Sequence, residues 1–290
     1  MASVTSLPEL ITGISSVAIV NEPDLAAGDI FGSCVFNLMI LSLLDARIKQ
    51  PLFSNVKSSH IVAAIFGIIL LMVAGMAIYL SNEIPSLLWF SGSTLILIGI
   101  YLVAVWGIFH YEQMSITAPP PSKITQSATR VAELKKVIGG YALNALIVIG
   151  TAIFLPWFGK HISLQTGLGN SFFATLFIAA ATSLPELVVS FAAVRLGALD
   201  MAVGNLLGSN VFNMFILAID DVFYRHGSLF QAISRSHLLS VFVTIIMTAV
   251  VGLGLLFKPK KKQLWVFSLD TLIIFFLYLC LILYLYMSND

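Results

Sequence analysis

Six residues occur twice in this chain of 290, as Thr5-Ser6-Leu7-Pro8-Glu9-Leu10 and again as Thr182-Ser183-Leu184-Pro185-Glu186-Leu187. Each copy joins two hydroxyls and a carboxylate to a proline. On a helix, Thr5 and Ser6 share the face of Glu9, and Thr182 and Ser183 that of Glu186. Proline has no N–H and clashes with the preceding turn, so Pro8 and Pro185 each free a backbone carbonyl about four residues upstream. Hydroxyl, carboxylate and carbonyl oxygens in one place suit hard cations such as Ca²⁺ and Na⁺; with no His or Cys beside them, zinc and copper are disfavoured.

A second pair of matching strings follows, Gly28-Asp29-Ile30-Phe31-Gly32-Ser33-Cys34-Val35-Phe36-Asn37 and Gly204-Asn205-Leu206-Leu207-Gly208-Ser209-Asn210-Val211-Phe212-Asn213. Ser33 and Asn37 stand one helical turn apart, as do Ser209 and Asn213, so each pair presents a hydroxyl and an amide carbonyl on one face. Gly28 with Gly32, and Gly204 with Gly208, repeat at the same spacing and let that helix approach a neighbour closely.

The elements that must hold these groups are membrane helices. The chain is 59% hydrophobic and 10% charged, and runs such as Ile61 to Leu80, Leu87 to Phe109, Leu238 to Phe257 and Leu264 to Tyr286 are long enough to cross a bilayer. No alternating pattern points to a β-barrel. The expected class is an all-α polytopic membrane protein with about nine transmembrane helices, near residues 2–20, 25–44, 60–80, 86–109, 132–157, 168–196, 200–219, 236–257 and 264–287. A net charge of +1 gives no reason to expect a nucleic-acid partner. Cys34 and Cys280 both lie in apolar stretches, which speaks against a disulfide framework. Glu9 interrupts the first apolar run and no basic segment precedes it, so residues 1–20 do not read as a signal peptide.

A linker at 110–131, with Pro119-Pro120-Pro121, separates a first half, 1–109, from a second, 132–290, the two forming one membrane domain. Arg47, Lys49, Lys57, Lys123, Arg130, Lys135, Lys136, Arg195, Lys258, Lys260, Lys261 and Lys262 fall on one side, against Lys160, Arg225 and Arg235 on the other. This asymmetry assigns the first side, with the linker, to the cytoplasm of an inner-membrane protein. The helix bearing Glu9 then runs outward and that bearing Glu186 inward, an inverted repeat of the kind that places a transporter's site near the midplane. Two intramembrane carboxylates are neutralised by one Ca²⁺, two Na⁺ or two protons, so one ion leaves only as another replaces it. No nucleophile is paired with a base, and no enzyme is expected. Asp45 and Asp221, equivalent positions at helix ends beside Arg47 and Arg225, read as solvated charges, with a secondary cation vestibule as the alternative.

The paired motifs resemble those of the sodium/calcium exchanger branch of the cation/calcium exchanger superfamily. The resemblance implies the inverted-repeat cation/calcium exchanger fold, which has ten helices in the family, alternating access by sliding of the first and sixth helices, and no cofactor beyond the transported Ca²⁺ and Na⁺ or H⁺. Carried over by motif position, the cation ligands would be Glu9, Glu186, Thr5, Thr182, Ser6, Ser183, Ser33, Ser209, Asn37, Asn213 and the backbone carbonyls of Ala2 and Ala179. Asp29 and Cys34 stand where the second repeat keeps Asn205 and Asn210, and Asn213 stands where relatives often carry Asp. By symmetry the first family helix and part of the next are expected to be missing before Thr5, as in an N-terminally truncated exchanger. The resulting expectation is Ca²⁺/Na⁺ antiport, with Ca²⁺/H⁺ antiport and a truncated, non-transporting membrane protein as alternatives; the oligomeric state stays open.

Overall fold

The computed structural model describes residues 1–114, 128–263 and 266–288. Among the described residues, nine helical runs cross the molecule, two of them broken. The first break separates α1 (Ala2–Thr5) from α2 (Leu7–Ala18), and is followed by α3 (Pro23–Arg47), α4 (His60–Tyr79), α5 (Gly92–Met114) and α6 (Ala128–Thr166). The second broken run comprises α7 (Asn170–Phe173), a π-helical turn (Ala174–Ile178), α8 (Ala179–Thr182) and α9 (Leu184–Arg195). Then come α10 (Leu199–Phe223), the short α11 (Leu229–Ala232), α12 (His237–Phe257) and α13 (Leu269–Ser288). Among the described residues, seven helices are long and apolar enough to span a membrane, and the bent run 170–195 makes an eighth. α2 is shorter and apolar.

α3 and α10 form the centre, 89% and 72% buried over their spans, whereas α5 and α13 are 22% buried and turn their apolar side chains outward. A hydrophobic exterior around a polar middle is stable only where lipid replaces water outside. The middle is unusually polar: Glu9, Asp29, Ser33, Asn37, Ser183, Glu186, Ser209, Asn213 and Asp220 are each fully inaccessible to solvent.

Close approach at the centre depends on small residues. A Cβ at Gly32 would lie 2.5 Å from the carbonyl oxygen of Thr175 and 2.7 Å from Ala179 Cβ, so only glycine lets α3 close on the broken run. Pro156, within α6, removes the hydrogen bond that the carbonyl of Ala152 would receive. Thr12 Oγ1 donates to that carbonyl at 3.4 Å and Ser15 Oγ to the carbonyl of Ile153 at 2.6 Å, which ties α2 to the kink.

The sequence expectations need four corrections, the first being that the helix expected over 132–157 runs over Ala128–Thr166. The helix expected from residue 86 starts at Gly92, because Ser86–Leu87 (β1) and Phe90–Ser91 (β2) pair antiparallel and Trp89 Nε1 donates to the carbonyl of Val222 at 2.8 Å. The helix expected from residue 264 starts at Leu269. Asp45 and Asp221 are not solvated but fully buried. Asp45 accepts the amides of Leu52 (2.8 Å) and Ser268 (2.7 Å) and the hydroxyl of Thr271 (2.8 Å), with Lys262 at 3.6 Å. Asp221 accepts the amides of Leu229 (2.6 Å) and Ser91 (2.7 Å) and the hydroxyl of Thr94. The same residue types in the same order serve both acids, so each pins the end of a central helix to the start of an outer one. Pinning also explains the late helix starts, since Ser91 and Ser268 spend their amides on the carboxylates. Pro119-Pro120-Pro121 and Lys123 of the linker lie outside the described residues.

Candidate cation site

Both copies of the six-residue motif break their helix at the serine. Ser6 has φ −88° and ψ 15°, and Ser183 φ −85° and ψ 9°, with the proline in the first turn of the helix that resumes. The second broken run bends by 47°. Proline cannot continue the preceding ladder but is tolerated at a helix start, so each Pro ends one segment and opens the next. Glu9 and Glu186 thereby fall in the first turns of α2 and α9, where the helix N-terminus favours negative charge.

The two motifs then cross. Ser6 Oγ donates to Glu186 Oε1 at 2.7 Å, and Ser183 Oγ donates to Glu9 Oε1 at 2.9 Å. Ser209 Oγ adds a contact to Glu186 Oε1 at 3.2 Å. Each carboxylate is therefore held through one oxygen by the opposite repeat. The other oxygens, Glu9 Oε2 and Glu186 Oε2, are buried without a hydrogen-bond partner among the described residues. Two carboxyl oxygens left bare away from water call for a cation or a proton to neutralise them.

The remaining candidate ligands surround this pair. Thr5 Oγ1 donates to the carbonyl of Ala2 at 3.0 Å, while Thr182 Oγ1 lies 3.2 Å from the carbonyl of Ala179 and 2.8 Å from Asp29 Oδ1. Ser33 Oγ is 3.4 Å from Thr182 Oγ1 and 3.5 Å from Asp29 Oδ1. Asn37 Nδ2 donates to Asn210 Oδ1 at 3.0 Å, and Asn213 Nδ2 approaches Cys34 Sγ at 3.7 Å. Both amides are thus oriented by their nitrogens, and the carbonyl oxygens Asn37 Oδ1 and Asn213 Oδ1 stay unpartnered. Ala2 is partly exposed and Ala179 fully buried. The structure gathers the whole set at the crossing of α1–α2, α8–α9, α3 and α10.

Sequence reasoning singled out Asp29 only as a departure from pattern, yet it joins the cluster as a third buried carboxylate, accepting from Thr182 Oγ1 at 2.8 Å. Asn210 orients Asn37 and donates Nδ2 to the carbonyl of Cys34 at 3.0 Å. Two His–Asp contacts went unread. His237 Nε2 meets Asp24 Oδ1 at 3.1 Å and His60 Nε2 meets Asp200 Oδ1 at 3.3 Å, and the same two aspartates accept the amides of Ser234 (2.6 Å) and Lys57 (2.7 Å). The signal was available, because both aspartates precede the Ser of the second string by the same interval.

Residues 1–114 and 136–287 match the sodium/calcium exchanger protein family. Inner membrane protein YrbG of Escherichia coli (strain K12) is 28% identical over 254 residues, 83% of this chain and 73% of that one. Sodium/calcium exchanger MaX1 of Methanosarcina acetivorans is 32% identical over a shorter stretch of 135 residues, 42% of this chain and 35% of that one. Among solved structures, the sodium-calcium exchanger NCX_Mj superposes with a TM-score of 0.64 at 22% identity, covering 98% of this chain and 83% of that one. The H⁺/Ca²⁺ exchanger CAX gives 0.64 at 10% identity, covering 99% and 74%. Both likenesses carry the fold, two inverted repeats of membrane helices. The crossed kinks lie within a family match that spans both repeats, and the chain belongs to the sodium/calcium exchanger protein family.

Proposed function

We propose that the protein is a secondary antiporter that exchanges Ca²⁺ for Na⁺ at the crossing of its two kinks. The observation that supports this most is the pair of bare, buried oxygens Glu9 Oε2 and Glu186 Oε2, held by serines of opposite repeats. The oxygens of Thr5, Thr182, Ser6, Ser183, Ser33, Ser209, Asn37 and Asn213 and the carbonyls of Ala2 and Ala179 complete an oxygen-only ligand set, suited to hard cations. Two carboxylates repel each other when the site is empty, so one cation leaves only as another takes its place. The excess of Lys and Arg on the face carrying the linker assigns that face to the cytoplasm. α3 then begins, and α10 ends, on the outside.

Asp29 favours a second reading, Ca²⁺/H⁺ exchange. It gives the cluster a third carboxylate, and one Ca²⁺ balances two, so the third needs a monovalent cation or a proton. Purified protein in liposomes decides between the readings. A Na⁺ gradient is expected to drive radioactive Ca²⁺ uptake in the wild type and not in Glu186→Gln. Uptake driven by a pH gradient alone would move the assignment to H⁺ coupling, and uptake indifferent to Glu186 would overturn both readings.

A further inference from the structure

α4 and α12 pack against each other, with α4 beginning at His60 and α12 ending at Phe257 on the face that the excess of Lys and Arg assigns to the cytoplasm. Away from that face they touch closely: a Cβ at Gly75 of α4 would meet Val241 Cγ1 of α12 at 3.2 Å. Near that face they part. A Cβ at Gly252 of α12 would meet nothing within 4 Å, and a groove of about 310 Å³ opens between the first turns of α4 and the last turns of α12. Ile61, Ile65 and Ile68 line one wall and Gly252, Leu253 and Leu256 the other, and every side chain along the groove is apolar. Ile65, Leu253 and Leu256 are each at least half exposed, so the groove opens outward, where lipid surrounds the helices.

Positive charge gathers at the cytoplasmic end of this groove. Lys57 stands four residues before Ile61, and Lys258 directly follows the last residue of α12, turning the chain with φ 46° and ψ 74°. Lys260 and Lys261 come next. All four lysines are exposed, and among the described residues none of their side chains forms an ion pair or a hydrogen bond. Lys262, by contrast, is spent on Asp45 and on the carbonyls of Ile48 and Val266, both at 2.8 Å. Two acids lie close by. Asp200 is occupied by the amide of Lys57 and by His60. Asp270 lines the groove on the other side of α12, between α12 and α13, where its unpartnered Oδ2 disfavours a phosphate. Unspent cations above an entirely apolar slot remain on the α4 side alone. Orientation in the membrane needs only the number of lysines, and calls for no slot beneath them.

We propose that the groove between α4 and α12 binds one acidic phospholipid of the cytoplasmic leaflet, with an acyl chain between the two walls, the phosphate held by Lys57 and Lys258, and Lys260 and Lys261 adding to the positive field. An acyl chain gains little by leaving other chains, so the groove contributes fit and the lysines choose the headgroup. The attraction decays within a Debye length and therefore acts at the level of the headgroups. α4 also packs on α10, and α12 on α3, so the lipid joins the two helices that support the central pair. None of these residues belongs to the cation site, and the proposal does not depend on which ions are exchanged.

The test uses the full chain, purified in detergent and given equal amounts of phosphatidylglycerol and phosphatidylcholine, with the retained lipid counted by native mass spectrometry. Phosphatidylglycerol is expected to be retained over phosphatidylcholine by about tenfold, the preference that two lysines at headgroup level can supply. Lys57→Gln with Lys258→Gln should bring the ratio close to parity. Gly252→Leu fills the groove without changing any charge, in a place where no neighbour stands in the way, and should lower retention of phosphatidylglycerol severalfold. Asp270→Asn, on the other side of α12, should leave retention unchanged. Equal retention of the two lipids by the wild type would overturn the proposal. So would a preference untouched by Gly252→Leu, which would reduce the lysines to a signal for orientation. An effect of Asp270→Asn as large as that of Gly252→Leu would move the lipid to the other groove and overturn the assignment as well. Should Gly252→Leu fail to fold, as judged by gel filtration, Ile65→Trp on the opposite wall decides in its place.

Discussion

The two repeats agree closely where they cross and differ sharply in what lies beyond. At the crossing, Ser6 serves Glu186 and Ser183 serves Glu9, and at the helix ends Asp45 and Asp221 collect equivalent amides. Beyond the crossing, one face carries Asp29 and Asp220 while the matching positions on the other carry Asn205 and Leu44. The two-fold relation thus holds where the repeats bond to each other and at the helix ends, and fails at the buried positions between.

The largest effects should come from the acid anchors, where symmetry is structural. Asp221→Ala leaves the amides of Ser91 and Leu229 buried without acceptors and should lower stability by about 2–6 kcal/mol, from roughly 1–3 for each of the two orphaned groups. Asp45→Ala should cost at least as much, because Lys262 also loses its buried partner. Thermal unfolding in detergent measures both; a much smaller loss for either would show that the two anchors are not equivalent.

The crossed serines give the next test. Ser6→Ala and Ser183→Ala each remove a hydrogen bond to a charged oxygen, worth about 1.5–3 kcal/mol, so Ca²⁺ affinity should change by about tenfold to a hundredfold. Calorimetry on the two variants should give changes of similar size. A one-sided result would mean that Ser209, which also reaches Glu186, compensates in one repeat.

Packing should already distinguish the repeats. Gly32→Ala places a methyl 2.5 Å from the Thr175 carbonyl, part of the π-helical turn, and should destabilise by about 1–3 kcal/mol. Gly208→Ala meets only Ala2 Cβ at 3.1 Å, beside a four-residue helix, and should cost less than Gly32→Ala in the same unfolding assay. Equal losses would show that α1 is held as firmly as the π-helical segment.

The smallest difference is expected at the His–Asp contacts. His237 is fully buried against Asp24, whereas Asp200, the partner of His60, is 40% exposed. His60→Gln should therefore change stability by no more than about 1 kcal/mol. His237→Gln should change it more, since a buried contact is less screened by water, and the reverse order would remove the pair from the list of asymmetric features.

Much of this was open to a reader of the sequence alone. Apolar run lengths determine that the chain forms membrane helices, and the recurrence of Thr-Ser-Leu-Pro-Glu-Leu determines where two of them break, because proline's missing N–H acts locally whatever surrounds it. Spacing likewise determines that Ser33 and Asn37 share a face. The tertiary structure alone decided which oxygen each serine holds, since Ser6 and Glu186 are brought together by helices far apart in the chain. It also decided the fate of the helix-end acids. Asp45, Asp220 and Asp221 look alike in sequence, but a carboxylate's role depends on the donors that other segments bring to it: Asp45 and Asp221 receive amides from following helices, and Asp220 receives the empty face of Gly13.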